Sequence, residues 1–283
     1  MATRVRASGL HRFRPIADHS PARFIPRMSS ALHVLAFDSS TEWLSVALDL
    51  GDGAVLASTE PGGARASQRL LPLVQELLAE AGLRLRDIGL IGFGAGPGAF
   101  TGLRAACAAA QGLAFGLDIP VVPVHTLLAV AASAEGSAQT ASTLLVANDA
   151  RMGEIYWALT QQGADGDWRL SAPVQVAPPQ AAAAAWVQAL GDVPPAGLQL
   201  LGHAWAEHGA ALAAALPAAW HALLDEALTV APKAAAVARL ARAAHARGES
   251  VAAAQALPIY VRNKVALTTE ERERARRVEA AHS

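Results

Sequence analysis

The sequence predicts an α/β fold that is built from two similar halves. Apolar segments typical of strands alternate with segments of helical periodicity from about residue 31 to residue 265. Two strand–turn–strand segments, with an aspartate at the end of each first strand, recur 111 residues apart, at Asp38 and at Asp149. The chain has 283 residues, 53% of them hydrophobic, which is enough for the buried core that such a fold requires.

The two hairpins are the main sign of an internal duplication. When they are aligned without a gap, Asp38 falls on Asp149 and Ala47 falls on Ala158. A duplicated subdomain explains the match, and the alternative is coincidence, because a strand that ends in aspartate before a turn is common. The expected strands are Leu32–Phe37, Trp43–Leu50, Leu144–Ala147 and Glu154–Thr160.

The other elements follow from local periodicity and turn residues. Proline is tolerated only near the first turn of a helix, so Pro72 leaves the start of its helix open. Further strands are expected at Ala54–Thr59, Leu90–Phe93, Val121–Val124, Val174–Val176 and Leu198–Leu201. Helices are expected at Ser67–Ala81, Thr101–Leu117, Thr126–Ala134, Gln180–Leu190, Ala204–Leu216 and Pro232–Arg247.

The composition excludes several classes of protein. A single cysteine, Cys107, excludes internal disulfides and a zinc site made of cysteines. No apolar run approaches the roughly 18 residues that a membrane-spanning helix needs. A net charge of -1 argues against a protein that binds nucleic acid over a broad basic surface. The sequence therefore predicts a soluble protein of a reducing compartment, the cytoplasm.

Residues 1–30 differ in charge from the rest of the chain. They contain six arginines and one acidic residue, Asp18, so the chain's net charge of -1 divides into +5 there and -6 in the rest. Their composition resembles a transit peptide or an RNA-binding arm, and the alternative is that translation starts at Met28. We expect residues 1–30 to be either a disordered extension or untranslated. We expect residues 31–135 and 136–265 to form the two halves of the fold, and residues 266–283 to form a charged tail.

A glycine-rich segment between a strand and a helix is the most distinctive local pattern. Gly94, Gly96 and Ala99 have the spacing of a dinucleotide-binding loop, in which glycines let the backbone approach a phosphate. Two features oppose that interpretation, because no acidic residue ends the following strand and Pro97 removes one backbone N–H. No lysine follows the glycines, which excludes a P-loop. The segment forms either a tight structural turn or a contact with a ligand or partner.

Catalytic patterns are largely missing from the chain. It contains neither an H-x-x-x-H pair nor a G-x-S-x-G motif. Cys107 lies mid-helix among alanines, as a small core residue does, and His125 is the only histidine at a position typical of active sites. Asp38 and Asp149 either hold a hydrated Mg²⁺ beside a nucleotide or cap turns. We expect no catalytic residue and no metal site; candidate contacts to a nucleotide or a loop are Asp38, Ser39, Gly96, Gly98, Thr101, Asp149 and Arg151.

Six strings of the sequence together form a pattern that is specific to one family. The strings are Leu35–Thr41, Ser45–Leu48, Gln68–Pro72, Gly96–Arg104, Asp149–Ala158 and Pro258–Asn263. They resemble the TsaB family, the dimerisation subunit of the bacterial machinery for tRNA threonylcarbamoyladenosine. The resemblance covers about residues 31–265 and implies a duplicated actin-like fold of the sugar-kinase and Hsp70 type, in agreement with the two hairpins.

The resemblance also implies a function without chemistry of its own. The family resembles the catalytic subunit TsaD, which binds metal through an H-x-x-x-H pair, whereas Ala66-Ser67-Gln68 stands here where relatives often have one histidine. The implied role is a scaffold that binds TsaD, assembles with the ATPase TsaE, reaches tRNA only through the complex and forms a homodimer when alone. The complex uses ATP and Mg²⁺ to transfer threonylcarbamoyl to N6 of the adenosine next to the anticodon, and this chain is expected to have no cofactor of its own.

By the same resemblance, the helices at residues 67–81 and 101–117 form the docking face for TsaD. The second helix is rich in small residues, which let another helix approach, although packing on the sheet explains them equally well. The alternative functions are a nucleotide-binding ATPase or kinase of the actin-like superfamily and a metallopeptidase. The expected docking residues are Gln68, Leu71, Val74, Leu78, Arg104, Ala105, Ala108, Ala109 and Gly112.

Overall fold

A computed structural model of the chain describes residues 31–134, 143–164 and 166–261. The expectations for residues 1–30, for Arg262 and Asn263 and for the tail at residues 266–283 lie outside the described residues. The expected boundary between the halves, at residues 135 and 136, lies outside them as well.

The first half of the chain forms a five-stranded mixed sheet. Its strands are β1 (Val34–Asp38), β2 (Trp43–Asp49), β3 (Val55–Pro61), β4 (Leu90–Gly96) and β5 (Val121–His125). They lie in the order β3-β2-β1-β4-β5, with β1 antiparallel to β2 and parallel to β4. All five residues of β1 are buried, because helices cover both faces of the sheet.

Two helices cover one face of this sheet, α1 (Ala66–Glu80) and α2 (Phe100–Leu117). α1 begins at Ala66, which answers the question that Pro72 leaves open, and Pro72 lies in its second turn. The proline removes the N–H that would donate to the carbonyl of Gln68. Burial of the apolar stripe of α1 against the sheet offsets this loss; the stripe consists of Leu70, Leu73, Val74, Leu77 and Leu78.

The second half of the chain forms another five-stranded sheet. Its strands are β6 (Thr143–Arg151), β7 (Glu154–Gln162), β8 (Trp168–Leu170), β9 (Gln175–Ala177) and β10 (Leu198–Leu201). They lie in the order β10-β6-β7-β8, and β9 also pairs with β7. The helices of this half are α4 (Pro179–Leu190), α5 (Ala204–Ala215) and α6 (His221–Asp225). The sequence does not predict β8 and α6, because elements of three and five residues are too short to show periodicity.

The two sheets share one topology. Each begins with an antiparallel hairpin, and its first strand also pairs in parallel with a later strand, β1 with β4 and β6 with β10. A helix follows each of those later strands, α2 after β4 and α5 after β10. The duplicated α/β fold class predicted from the sequence is therefore confirmed.

The gapless alignment of the two hairpins is wrong by one residue on the return strand. Ala36 pairs with Ala47, whereas its counterpart Ala147 pairs with Trp157 and not with Ala158. A bulge interrupts the second hairpin between Asp149 and Arg151, and a tight turn then closes it.

Two helices fill the space between the sheets, α3 (Thr126–Ser133) and α7 (Ala234–Ala246). α7 comes from the end of the chain, yet it packs on β1, β2 and β4 of the first sheet. α3 comes from the first half and contacts β6, β7 and β8 of the second sheet. This exchange joins the halves through one shared core, in which Val237 and Ala241 are fully buried. Within the described residues, no helix is long and apolar enough to cross a membrane.

Candidate functional site

A cleft of about 470 Å³ opens between the two halves. Its walls come from the turn after β1, the glycine-rich loop before α2, the second hairpin and the segment that ends at Val261. Of the candidate contact residues, Gly98, Asp149 and Arg151 line it. The structure thus brings three of these residues together; the others, which do not line the cleft, are Asp38, Ser39, Gly96 and Thr101.

Asp38 is buried behind the cleft and caps the turn after β1. Its Oδ1 accepts hydrogen bonds from the backbone N–H of Ser40 at 2.9 Å and from the hydroxyl of Ser40 at 2.7 Å. Its Oδ2 lies against Gly94 and has no polar partner among the described residues. Burial raises the pKa of this carboxyl to about 6, although the hydrogen bonds from Ser40 oppose the shift.

The glycine-rich loop packs directly on that turn. The N–H of Ala99 donates to the carbonyl of Ser40 at 2.7 Å, and the hydroxyl of Ser39 donates to the carbonyl of Gly102 at 2.9 Å. A Cβ on Gly98 would overlap the carbonyl of Ser40, and a Cβ on Gly102 would overlap that of Ser39. These glycines therefore permit close approach of backbone to backbone, which supports the interpretation as a tight structural turn.

Asp149 occupies the equivalent position in the second half. Its Oδ1 accepts the N–H of Arg151 at 3.0 Å and lies 3.1 Å from Nε2 of His208, while Oδ2 lies 3.3 Å from the guanidinium of Arg151. Asp149 therefore caps its turn, as Asp38 does. Oδ2 of Asp38 is buried against Gly94, where a hydrated ion has no room, and Asp149 is engaged by Arg151 and His208. The two carboxylates therefore do not fit a hydrated Mg²⁺. Within the described residues, no three histidine, cysteine, aspartate or glutamate side chains are grouped so as to hold a metal ion.

His125 and Cys107 both lie away from the cleft lining. Burial lowers the pKa of His125. Cys107 is 5% exposed, its thiol donates to the carbonyl of Ala256 at 3.2 Å, and burial raises its pKa. A neutral thiol is a poor nucleophile. Cys107 is therefore a core residue, as the sequence predicts.

Residues 251–261, the C-terminal strap, run from β5 along α2 to the cleft. Val251 forms a bridge with Val121 at the edge of the first sheet. The carbonyl of Ala256 then accepts a hydrogen bond from the side chain of Gln111 at 2.8 Å. Since Ile259, Tyr260 and Val261 line the cleft, the strap connects one wall of the cleft with α2.

Arg104 joins α2 to the end of the C-terminal strap. Its guanidinium lies 3.8 Å from the ring centre of Phe100, and its Nε donates to the hydroxyl of Tyr260 at 3.4 Å. The two rings are 5.7 Å apart, and both are partly exposed at the mouth of the cleft. Sequence reasoning missed Phe100 and Tyr260, because a contact across 160 residues leaves no local signal.

Most of the expected docking residues lie on the outer face of α1 and α2, which we call the docking face. Ala105 and Ala109 are half-buried there, and the exposed ones are Gln68, Leu71, Arg104, Ala108 and Gly112. Val74 and Leu78 are only 2% and 6% exposed and pack in the core beneath α1. The expectation that these two contact a partner is therefore corrected, since their side chains are not accessible.

The docking face also exposes large apolar side chains. Leu71 is 46% exposed and Phe115 is 82% exposed. Phe115 follows Ala108 by seven residues and Arg104 by eleven, so the three lie on one stripe of α2. Extending that stripe along the sequence would have identified Phe115, which the sequence reasoning missed.

The comparisons with known proteins identify the family. The family model for TsaD, tRNA N6-adenosine threonylcarbamoyltransferase, matches residues 62–268. The tRNA threonylcarbamoyladenosine biosynthesis protein TsaB of Escherichia coli K12 is 35% identical over 235 residues, which are 83% of this chain and 96% of that protein. The chain belongs to the TsaB family. TsaB of Haemophilus influenzae is 34% identical, with 83% of this chain and 95% of that protein covered.

A solved structure supports the same assignment. YeaZ from Pseudomonas aeruginosa is 39% identical, with a TM-score of 0.67, and the match covers 81% of this chain and 99% of that one. The predicted TsaB resemblance is thus confirmed for this chain. Its relatives are named for the biosynthesis of tRNA threonylcarbamoyladenosine.

Proposed function

We propose that this TsaB-family chain is a non-catalytic scaffold that binds TsaD and supports threonylcarbamoyl transfer to N6 of the adenosine next to the anticodon. The docking face carries the proposal, because Leu71 and Phe115 project from it into solvent. Aromatic side chains are enriched in protein–protein contacts, and Phe115 is the most exposed of the large apolar side chains that the structure describes.

The small residues of α2 suit a helix as the partner element. Ala108 and Gly112 are four residues apart and exposed, so a second helix can approach the backbone closely between Arg104 and Phe115. The TsaD family model matches residues 62–268, a range that includes both helices of the docking face. A related partner would offer a related helix pair, and the same face would pair two copies of this chain when TsaD is absent.

The chain is proposed to act in the cytoplasm without a cofactor of its own. The carboxylates of Asp38 and Asp149 already accept hydrogen bonds in turns, and the thiol of Cys107 is buried. ATP and Mg²⁺ would be used by the assembled complex with TsaD and TsaE, and tRNA would be held mainly through that complex.

Substituting Ala108→Glu is expected to weaken binding to TsaD by about 30-fold or more, or about 2 kcal/mol, because a carboxylate would be buried at the centre of the interface. Ala108 is preferable to the half-buried Ala109, where glutamate would also strain the fold. Titration calorimetry with purified TsaD measures the effect, and the same variant is expected to be monomeric when alone.

Ala214→Glu is the matched control, since Ala214 is an exposed alanine on α5. It should bind TsaD as the wild type does. Undiminished binding of the Ala108→Glu variant would show that the docking face is not where TsaD binds, and steady turnover by the isolated chain would contradict a scaffold role.

A nucleotide-binding function is the second candidate, because the cleft of about 470 Å³ is large enough for a nucleotide. Calorimetry with ATP and Mg²⁺ distinguishes a scaffold from a nucleotide-binding enzyme. Micromolar affinity accompanied by hydrolysis would favour an ATPase or kinase, whereas no heat of binding is expected for the scaffold.

A further inference from the structure

A second cavity, of about 460 Å³, lies along one side of α7. We call it the α7 groove; among its lining residues are Asp49, Gly51, Ser133, Lys233, Arg239 and Arg242. α7 packs on one face of the first sheet, whereas α1 and α2 pack on the other. The α7 groove therefore stays open when a partner covers the docking face.

The α7 groove concentrates positive charge in an otherwise acidic molecule. From Lys233 to Arg242 the chain has three lysine or arginine residues and no acidic residue, although residues 31–283 as a whole carry -6. Asp49, the single acidic residue among the described residues of the lining, is paired with Arg242, whose Nε lies 2.8 Å from Oδ2. Lys233 and Arg239 are two further cations of the lining, so cationic side chains outnumber carboxylates among the described residues of the α7 groove.

The two arginines are held in place by backbone carbonyls. Nη2 of Arg242 donates to the carbonyl of Leu32 at 2.6 Å, and Nη2 of Arg239 lies 3.4 Å from that of Ala132. Lys233 is exposed at the N-terminus of α7, where the helix dipole adds partial positive charge. Cationic side chains that are already oriented lose little entropy on binding an anion.

We propose that the α7 groove binds backbone phosphates of the tRNA while this chain is part of its complex with TsaD. The inference rests on the proposed function, since it assigns to the scaffold a contact with the substrate of the complex. Lysine and arginine contacts to phosphate supply most of the sequence-independent affinity for nucleic acid. Because the rest of the surface is acidic, the α7 groove adds affinity within the complex but is too small to hold tRNA firmly by itself.

The test compares the Lys233→Glu/Arg239→Glu double variant with the wild-type full chain, so that the arginines of residues 1–30 are the same in both. Fluorescence anisotropy with a labelled, unmodified tRNA transcript measures the affinity of the TsaD complex. We expect the Kd to rise about 10-fold near 0.1 M salt and the slope of log K against log salt to become shallower by about 1 to 2. The affinity for TsaD itself should not change.

The Arg84→Glu/Arg247→Glu double variant is the matched control, because it changes the net charge equally at two arginines outside the groove lining. An equal loss of tRNA affinity in this control, or no loss in the groove variant, would overturn the proposal. If Arg239→Glu disturbs folding, the Lys233→Glu variant alone keeps the test valid, because Lys233 is exposed. We expect this single variant to lower the affinity for tRNA about threefold.

Two further measurements complete the test. The first asks whether the ligand of the α7 groove is tRNA or a small anion, and the second separates tRNA binding at the groove from binding to TsaD. Calorimetry with inorganic pyrophosphate tests for a small ligand: if Lys233→Glu abolishes its binding while tRNA affinity stays the same, the assignment to RNA is wrong. The tRNA affinity of the chain without TsaD is measured in parallel. We expect it to be weaker than in the complex, with the same ratio of Kd between the groove variant and the wild type. If the wild type failed to bind TsaD, the proposed function would be contradicted. The proposal for the α7 groove would still be tested by the tRNA affinities of the free chain and its variants.

Discussion

Substituting Gly102→Ala is expected to lower the free energy of unfolding by about 2–4 kcal/mol, among the largest effects of any single methyl group in this chain. The added Cβ would overlap the carbonyl oxygen of Ser39, a backbone atom that no side-chain rotation can move away. To relieve the overlap, α2 must move from the turn after β1, and the 2.9 Å hydrogen bond from the hydroxyl of Ser39 to Gly102 would lengthen. Chemical or thermal denaturation of the isolated chain measures the loss.

Gly112→Ala is the matched control on the same helix. No atom lies within 4 Å of a Cβ at Gly112, and alanine is the better helix former. This variant should gain about 0.5–1 kcal/mol, so the two glycine-to-alanine changes should differ in sign. Equal effects of the two would mean that the loop is not held against the turn after β1.

Sequence reasoning succeeded where the signal is local. The short apolar runs of β1, β2, β6 and β7, each bounded by polar turn residues, predict both hairpins, because such runs are typical of strands that are buried in a sheet. The glycines before α2 likewise predict either a tight turn or a contact with a ligand or partner, and the packing of Gly98 and Gly102 on backbone carbonyls supports the turn. The neighbour that requires these glycines, the turn at Ser39 and Ser40, lies about 60 residues away and could not be predicted from the sequence.

The features that the sequence does not predict depend on contacts between residues that are far apart in the chain. The family resemblance assigns the whole of α1 to the docking face and does not separate its two sides. Val74 and Leu78 belong to the apolar stripe that the sheet covers, whereas Leu71 lies on the exposed side. The contact between Oδ1 of Asp149 and Nε2 of His208 joins residues that are 59 positions apart in the sequence. The position of α7 on the first sheet depends on the exchange of helices between the halves, which no local pattern encodes.

Substituting Asp38→Asn is expected to change the dependence of stability on pH. Burial raises the pKa of Asp38 in the folded state to about 6 from an ordinary value of 3.8. A carboxyl whose pKa is raised by folding binds more protons in the folded state, so it destabilises the protein as pH rises from about 4 to 6. A shift of about two units corresponds to a loss of about 3 kcal/mol above pH 6.

The asparagine variant has no carboxyl to ionise, so it does not suffer this loss. Its side-chain oxygen can still accept the N–H and the hydroxyl of Ser40, although its amide nitrogen would lie unpaired against Gly94. The difference in free energy of unfolding between variant and wild type should therefore rise by about 2–3 kcal/mol between pH 4 and pH 7. Chemical denaturation at a series of pH values measures it.

Asp52→Asn is the matched control, because Asp52 also accepts a backbone N–H two residues later, at 2.9 Å from Ala54, but is exposed. Its difference in free energy of unfolding from the wild type should stay within about 0.5 kcal/mol across the same pH range.

Repeating the wild-type series with Mg²⁺ decides between the two roles considered for Asp38. A turn cap gives the same curve with and without the ion, whereas a magnesium ligand would be stabilised by Mg²⁺ at pH 7, and only while the carboxylate is present. Because Oδ2 is buried against Gly94 and Oδ1 is occupied by Ser40, we expect the two curves to coincide.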